Sequence, residues 1–212
     1  MTLVAYTKIT STANSDQLWV RVENAFSDIA NRKYFDEIKS RQNQESIKES
    51  LCALLVLSEL LGRAGIKRSE LIFNRSTNGK PCLVNSEIEF SLSHSNGYAA
   101  AAICDSSRVG IDIEATEISE EKAKKLAKRF FSEGENKEFE TTSESFLKIW
   151  TKKEAYAKMH GISLSNLIIA EKKSPLEIRN NAFFEVFSIY GCPMTVCLET
   201  PCDISNLGEI TI

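Results

Sequence analysis

Residues 88–114 read IEFSLSHSNGYAAAAICDSSRVGIDIE, and this stretch decides the fold. Apolar and polar residues alternate around Asn96-Gly97, a dipeptide typical of a tight β-hairpin turn. After a second turn, VGIDIE at 109–114 has the composition of a third strand. The stretch therefore predicts a β-meander, and we expect a boundary between two lobes near its end.

Helical patterns lie on both sides of this meander. Residues 45–62 carry leucine and valine at helical spacing and predict a buried helix. Residues 119–131 predict a second helix, with acids in the first turn and bases near the end. Residues 146–159 predict a third, which Gly161 would stop.

Strand-like segments complete the pattern. Residues 71–73 predict a short strand, and EVFSIY, MTVCLE and EITI near the end of the chain predict strands of a second lobe. We therefore predict an α+β fold of two lobes, an N-terminal lobe at 1–104 and a C-terminal lobe at 105–212.

The composition limits the possible functions. The 212 residues are 42% hydrophobic and 26% charged, which is enough for a sizeable core. A net charge of −3 argues against a general nucleic-acid binder, because such proteins neutralise phosphates with Lys and Arg. No apolar run approaches the roughly 20 residues that cross a bilayer, and MTLVAYTKIT lacks the layout of a secretory signal. We expect a cytoplasmic protein with no membrane partner.

The six cysteines have no CxxC spacing, and the two histidines lie far from most of them. This arrangement gives poor support for a zinc site. In a reducing cytosol the expectation is free thiols that pack as small apolar side chains.

Two carboxylates in VGIDIE are candidates for metal binding. A strand period of two places Asp112 and Glu114 on one face, with their α-carbons about 6.5 to 7 Å apart. Both side chains could then reach one hard cation. The alternative is a half-exposed strand whose acids face water.

The segment WTKKEAYAK at 150–158 lies on the third predicted helix. Glu154 and Lys158 are four residues apart and share a face, which is also the spacing of a simple surface ion pair. The functional interpretation is that Glu154 completes a three-carboxylate Mg²⁺ site, while Lys153 and Lys158 bind phosphate oxygens.

Two polar segments of the N-terminal lobe could also bind phosphate. Asn74 to Pro81 is a turn segment, and Pro81 forces Lys80 into an extended conformation on a loop. His94 lies between Ser93 and Ser95 beside the predicted hairpin turn. A packed core histidine is the alternative to a phosphate-binding one.

The order and spacing of these segments resemble the Sfp-type 4′-phosphopantetheinyl transferases of the holo-acyl-carrier-protein synthase superfamily. The matching segments are GKP (79–81), FSLSHS (90–95), VGIDIE (109–114), RFFS (129–132), WTKKEAYAK (150–158) and GISL (161–164). The resemblance covers about residues 48–165. It implies two similar α+β lobes in a pseudo-dimer, with coenzyme A and a divalent cation, Mg²⁺ or Mn²⁺, in the cleft between them.

The resemblance also implies roles for individual residues. The metal ligands match Asp112, Glu114 and Glu154. The residues around coenzyme A match Lys48, Lys80, Pro81, Ser93, His94, Asp112, Lys153 and Lys158. Within that set, Lys153 and Lys158 match the positions at the pyrophosphate, where Lys158 is also catalytic. Lys48 stands where the family often has arginine for the 3′-phosphate, and lysine keeps the charge without the bidentate fork.

The general base of the family matches Glu135. The family pattern is an acid followed by an aromatic residue, whereas here Glu133 is a competing acid and Asn136 follows Glu135. Glu133 and a water molecule therefore stay open as alternatives.

The activity that the resemblance implies is transfer of 4′-phosphopantetheine from coenzyme A to a serine of an apo carrier protein. Such carriers are acidic, and five of the eight residues from Lys122 to Arg129 are basic. That helix face could steer the carrier or could simply be solvated. We expect a monomer, since an internal pseudo-dimer contains both lobes.

Two other functions remain possible on the sequence. One is a non-catalytic module that binds coenzyme A or a carrier protein, although such a module has no need of three metal-binding carboxylates. The other is a Mg²⁺-dependent hydrolase of pyrophosphate bonds, in which water replaces the serine.

Overall fold

The computed structural model describes residues 1–141, 146–173 and 182–212. Its α-helices are α1 (Ser15–Ala25), α2 (Asp28–Lys39), α3 (Gln44–Arg63), α4 (Glu120–Phe130), α5 (Glu133–Thr141), α6 (Phe146–His160) and α7 (Leu164–Lys173). Its strands are β1 (Thr2–Lys8), β2 (Phe73–Arg75), β3 (Pro81–Leu83), β4 (Glu89–Ser95), β5 (Tyr98–Cys104), β6 (Val109–Ile113), β7 (Phe183–Ile189), β8 (Cys192–Leu198) and β9 (Ile204–Glu209). The predicted mixed α+β fold is confirmed.

The strands form two main sheets. The first has the order β4-β5-β1-β9 and the second the order β6-β8-β7, while β2 and β3 make a separate small hairpin. The predicted hairpin of β4 and β5 is present, with Ser95 paired to Tyr98. Asn96 and Gly97 both have positive φ, 43° and 86°, as a type I′ turn requires. Local turn chemistry therefore sets the register of this hairpin.

The predicted long helix is α3, and it packs on the first sheet. The Asn43 side chain caps its start by accepting a hydrogen bond from the Ser46 amide. Its buried face packs against β1, β4 and β5, with Leu51, Leu54 and Leu57 almost fully buried. Because the apolar residues cover so much of this helix, it lies inside the lobe rather than on its surface.

On the second sheet, α6 packs across β6 and β8. The helix ends where predicted, and Gly161 follows with a φ of 65°. A cluster of aromatic rings, including Phe131, Phe146 and Trp150, joins α6 to α4 and α5. The predicted α4 is also present, with the Ser119 hydroxyl accepting from the Lys122 amide as its N-cap.

The two sheets share an apolar core. Val4 and Ala100 from the first sheet lie in the same cluster as Ile111 and Val196 from the second. The lobe boundary predicted near Cys104 stays a prediction, and this shared cluster shows how closely the two sheets pack.

Several features differ from the sequence pattern. Residues 71–73 were expected as a strand, but Leu71 caps a short 3-10 turn and β2 begins at Phe73. EITI at 209–212 was predicted as a strand of the second lobe, whereas the strand near this end of the chain is β9, which stops at Glu209 and pairs in parallel with β1 in the first sheet. The strand β1 was not predicted. Pairing between distant segments is not visible in local periodicity.

Among the described helices, none is long and apolar enough to cross a membrane. The six cysteines are free in the structure, and Cys52, Cys104 and Cys197 are buried.

Candidate active site at the junction of the two sheets

Gly110 allows α6 to lie directly on β6. A Cβ at this position would be 1.9 Å from the carbonyl oxygen of Ala155 and 2.6 Å from the amide nitrogen of Met159. Real Cβ atoms do not approach backbone this closely, so only glycine fits. This contact fixes the distance between α6, which carries Glu154 and Lys158, and β6, which carries Asp112.

Asp112 is the buried centre of the site, with 6% of its surface exposed. Its Oδ1 atom accepts hydrogen bonds from the Ser93 hydroxyl at 2.8 Å and from the Lys158 ammonium at 2.7 Å. Burial raises the pKa of Asp112, although Lys158 and Ser93 oppose the shift. Sequence periodicity left open whether this acid faces water, and the structure places it in the interior.

Glu114 follows β6 and is held in the same way. Its Oε1 atom accepts from the Ser95 hydroxyl at 2.5 Å and from the Thr116 amide at 2.9 Å. Both carboxylates are thus anchored through one oxygen, and no described residue donates a hydrogen bond to Asp112 Oδ2 or Glu114 Oε2. The second oxygen of each side chain has lone pairs left for another ligand.

Glu154 lies on α6, in the electrostatic field of both acids. Burial is the largest cause of the raised pKa of Glu154, and the charges of Asp112 and Glu114 raise it further. Three interacting carboxylates suit a hard divalent cation in donor type. Within the described ranges, however, no three acidic, histidine or cysteine side chains are arranged closely enough to hold a metal ion. The predicted metal site stays a prediction.

Lys158 connects the two main sheets. It is on α6, which packs on the second sheet, and its ammonium donates to Ser93 of β4 in the first sheet at 2.9 Å as well as to Asp112. The helical spacing of Glu154 and Lys158 had two interpretations. Here the ion pair of Lys158 is with Asp112, across the junction of the sheets.

Lys153 points elsewhere. Its side chain is fully buried, and its ammonium donates to Glu135 at 2.7 Å and to Glu171 at 2.6 Å. Glu171, on α7, was not identified from the sequence, and burial raises its pKa despite the neighbouring lysine. The structure does not bring Lys153 to Asp112, so its contact with a pyrophosphate stays a prediction.

Glu135 occupies the first turn of α5. It accepts a hydrogen bond from the Ser132 amide at 2.7 Å, while the Ser132 hydroxyl accepts from the Glu135 amide at 3.3 Å. This reciprocal pair is a capping box. Glu135 therefore has two visible roles, helix capping and pairing with Lys153, beside the predicted role of general base.

Lys80 and Pro81 line a cleft of about 260 Å³. The other lining residues are Asn78, Gly79, Phe90, Ser91, Leu92, Lys158, Gly161, Ile162 and Ser163. The Lys80 ammonium donates to Glu89 at 2.8 Å and to the Val109 carbonyl at 3.2 Å. The predicted loop lysine thus lies at the same junction as Lys158.

His94 and Lys48 belong to a separate polar group around α3. The His94 ring contacts Glu49 at 2.9 Å and Ser50 at 3.1 Å, and Arg41 donates to Ser50 at 2.6 Å. Burial lowers the pKa of His94, while the Glu49 carboxylate opposes the shift. Lys48 pairs with Glu45 at 3.4 Å. Within the described residues, neither His94 nor Lys48 makes a hydrogen bond or ion pair with Asp112, Glu114 or Glu154. Their roles at coenzyme A stay predictions.

The basic face of α4 is exposed, as predicted. Lys122 and Lys125 face solvent, and Lys125 pairs with Glu121 at 2.6 Å. Such i,i+4 surface pairs contribute little and do not remove the field of the helix face. The structure is thus compatible with both interpretations of this helix, docking face or solvated face.

Taken together, the fold and the site define an α+β protein with a buried aspartate, two half-buried glutamates and a half-buried lysine at the junction of two sheets. A family model described as the 4′-phosphopantetheinyl transferase superfamily matches residues 108–189. That range contains Asp112, Glu114, Glu135 and Glu154.

Individual relatives agree with this match. The chain is 34% identical over 119 residues to 4′-phosphopantetheinyl transferase Sfp of Bacillus subtilis (strain 168), which is 53% of this chain and 51% of Sfp. It is 27% identical over 208 residues to 4′-phosphopantetheinyl transferase gsp of Aneurinibacillus migulanus, covering 84% and 86%. It is 32% identical over 148 residues to 4′-phosphopantetheinyl transferase HetI of Nostoc sp. (strain PCC 7120 / SAG 25.82 / UTEX 2576), covering 65% and 59%. The chain is thus similar, in part of its length, to the 4′-phosphopantetheinyl transferase superfamily.

Proposed function

We propose that this chain is a 4′-phosphopantetheinyl transferase that moves phosphopantetheine from coenzyme A to a serine of an apo carrier protein. The observation that carries the proposal is the buried Asp112, held by Ser93 and Lys158 from both lobes beside Glu114 and Glu154. A buried acid whose surroundings raise its pKa is a common feature of functional sites. The names of the relatives supply the reaction.

The proposed reaction is an in-line displacement. The carrier serine oxygen attacks the β-phosphorus of coenzyme A and forms a new phosphoester bond. The bond from that phosphorus to the bridging oxygen breaks, 3′,5′-ADP leaves with the bonding electrons, and the serine proton passes to a base. The chain's own contribution is to bind, orient and neutralise the diphosphate.

Asp112, Glu114 and Glu154 are the residues that would hold Mg²⁺ or Mn²⁺. The cation would neutralise charge on the diphosphate oxygens. The free Oδ2 and Oε2 atoms of Asp112 and Glu114 are the donors that this assignment needs. Lys158, already paired to Asp112, would donate to a phosphate oxygen beside it. Lys80, Pro81, Ser93, His94, Lys48 and Lys153 remain the proposed coenzyme A contacts.

Glu135 is the proposed general base, and its replacement tests this role. Glu135→Gln is expected to lower kcat on the order of 10² to 10⁴-fold, because glutamine keeps the shape and removes the basicity. Coenzyme A binding, measured by calorimetry, should change little. Because Glu135 also caps α5 and pairs with Lys153, a thermal melt must accompany the rate measurement.

The matched control is Glu133→Gln, an exposed acid in the same turn of α5. A rate loss in the Glu133 variant with none in the Glu135 variant would move the role to Glu133. Normal rates in both variants would indicate that water accepts the proton of the carrier serine.

The proposed carrier is acidic and docks on the basic face of α4. Lys122→Glu combined with Lys125→Glu is expected to reduce kcat/KM for the carrier, on the order of tenfold or more at low salt, because complementary charge governs encounter. The affinity for coenzyme A should stay constant. Rates measured across a salt series give the electrostatic part.

The control makes the same charge change elsewhere, with Lys33→Glu and Lys67→Glu on exposed positions of the first lobe. An equal loss of kcat/KM in both double variants would show that the effect comes from net charge and not from the α4 face. An acidic carrier that is modified normally by the Lys122 and Lys125 variant would place docking elsewhere.

One experiment tests the proposed activity. The protein is incubated with coenzyme A, Mg²⁺ and a panel of apo carriers from fatty-acid, polyketide and nonribosomal-peptide synthesis, and the carrier masses are measured. The expected result is a gain of one phosphopantetheine group on at least one carrier, and the range of carriers modified decides between a broad enzyme and a dedicated holo-acyl-carrier-protein synthase. Binding of coenzyme A without any gain would indicate a binding module, and release of free phosphopantetheine would indicate a hydrolase.

The proposal includes a cytoplasmic monomer. The candidate site draws its residues from both sheets of one chain, so a second copy is not needed to complete it.

A further inference from the structure

Three serines of β4 lie along the edge of β6. Ser91, Ser93 and Ser95 alternate with other residues, so a strand period of two places their side chains on one face. Their hydroxyl oxygens accept hydrogen bonds from three main-chain amides at 3.1, 3.2 and 3.1 Å. The donors, in the same order, are Ile111, Ile113 and Ala115. We call these three hydroxyls the serine seam.

The serine seam supplies hydrogen-bond acceptors for main-chain amides at the edge of the second sheet. Every second main-chain amide along β6 points toward β8. The Glu114 amide, just after the end of β6, continues this pattern and donates to the Pro193 carbonyl at 3.1 Å. The amides between them point away from β8, toward β4. Buried amides without a partner are costly, and β4 supplies side-chain acceptors in place of a strand ladder.

The seam serines differ in a second contact. Ser93 donates its hydroxyl hydrogen to Asp112, and Ser95 donates to Glu114. Within the described ranges, the Ser91 hydroxyl has no carboxylate partner. Two of the three serines therefore hold an acid through a single oxygen, while the third only joins the sheets.

We infer that Ser95 is a positioning residue for Glu114. The hydroxyls of the serine seam that join β4 to β6 therefore also orient the site acids. Hydrogen bonds to a ligating carboxylate fix its orientation before the cation arrives. The inference rests on the proposed function in one respect, the assignment of Glu114 as a cation ligand. Ser95 is a cleaner probe than Ser93, which also accepts from Lys158.

The test compares Ser95→Ala with Ser91→Ala. Both variants remove one hydroxyl that accepts from a β6-side amide, so their melting temperatures should fall by similar amounts. Mn²⁺ alone is the probe, and its free concentration is followed by electron paramagnetic resonance. The expected dissociation constant rises about 10- to 100-fold in Ser95→Ala and stays within about twofold in Ser91→Ala.

Ser95→Thr keeps the hydroxyl and should restore Mn²⁺ binding, which a purely structural loss in Ser95→Ala would not explain. Equal Mn²⁺ affinities in wild type and Ser95→Ala would overturn the positioning role and leave the proposed function standing. Equal weakening in the Ser91 and Ser95 variants would also overturn it, because the effect would then belong to lobe packing. A wild-type protein that binds no Mn²⁺ would overturn the metal assignment and the inference with it.

Discussion

Asp112→Asn is expected to reduce phosphopantetheine transfer by at least about 10³-fold, close to background, because a cation that neutralises the diphosphate contributes several kcal/mol to catalysis. Asparagine keeps the shape of the side chain and an oxygen for Ser93 and Lys158. It removes the charge that the proposed cation needs. Turnover is measured by carrier mass at several Mg²⁺ concentrations.

Stability without ligands should change little in the same variant. Burial raises the pKa of Asp112, so the ionised carboxylate carries a cost that the variant removes. The lost ion pair offsets this gain, and its cost is limited because the Lys158 side chain is 31% exposed and can be solvated. The wild type should gain melting temperature with Mg²⁺ and coenzyme A, and the variant should gain much less.

Asp203→Asn is the matched control, because Asp203 is exposed and outside the site. A variant of Asp112 that retains most turnover at ordinary Mg²⁺ would remove this residue from the metal site. A melting temperature far below wild type without ligands would instead make Asp112 structural.

Gly110→Ala is expected to destabilise the protein by about 3 kcal/mol or more, since the new Cβ must displace backbone rather than a flexible side chain. For a chain of this size that corresponds to a fall of about 6 to 12 °C in melting temperature. The relevant contact is the 1.9 Å approach of the added atom to the Ala155 carbonyl oxygen. Thermal melts measure the effect directly.

The folded fraction of the same variant should also lose activity. Relief of the clash moves α6 away from β6, and with it Glu154 and Lys158 away from Asp112. A displacement of about 1 Å can cost on the order of 10²-fold in rate. Activity per folded molecule therefore separates the geometric effect from the loss of folded protein.

Gly134→Ala is the control for backbone entropy. Gly134 lies in α5 with no heavy atom within 4 Å of an added Cβ, so alanine should be neutral or stabilise by up to about 1 kcal/mol. A melting temperature of Gly110→Ala equal to that of the wild type would contradict the close packing of α6 on β6.

The candidate site was predicted from residue order and spacing, and its contacts were not. Asp112 and Glu114 on one strand and Glu154 on a helix are visible as patterns in the sequence. The anchoring of each strand acid by a serine is not, although the alternation of Ser91, Ser93 and Ser95 was a signal that could have been noted. Glu171 had no such signal, since an acid in an amphipathic helix usually faces solvent.

Lys153 shows why side-chain direction escapes prediction. A lysine between Lys152 and Glu154 in a helix is expected at the surface, because burying an ammonium is costly unless it is paired. The pairing comes from Glu135 and Glu171, each 18 residues away in the sequence. Only the packing of α5 and α7 around α6 supplies those partners.

The sequence by itself determined several local elements of this protein. The span of α3, the hairpin at Asn96-Gly97 and the N-cap of α4 follow from interactions within a few residues, and periodicity and turn chemistry report such interactions. Tertiary structure alone decided that β9 joins β1, that Lys153 is buried and that the serine seam meets β6. These contacts join residues far apart in the chain, and they form because buried amides and charges need partners wherever the fold can supply them.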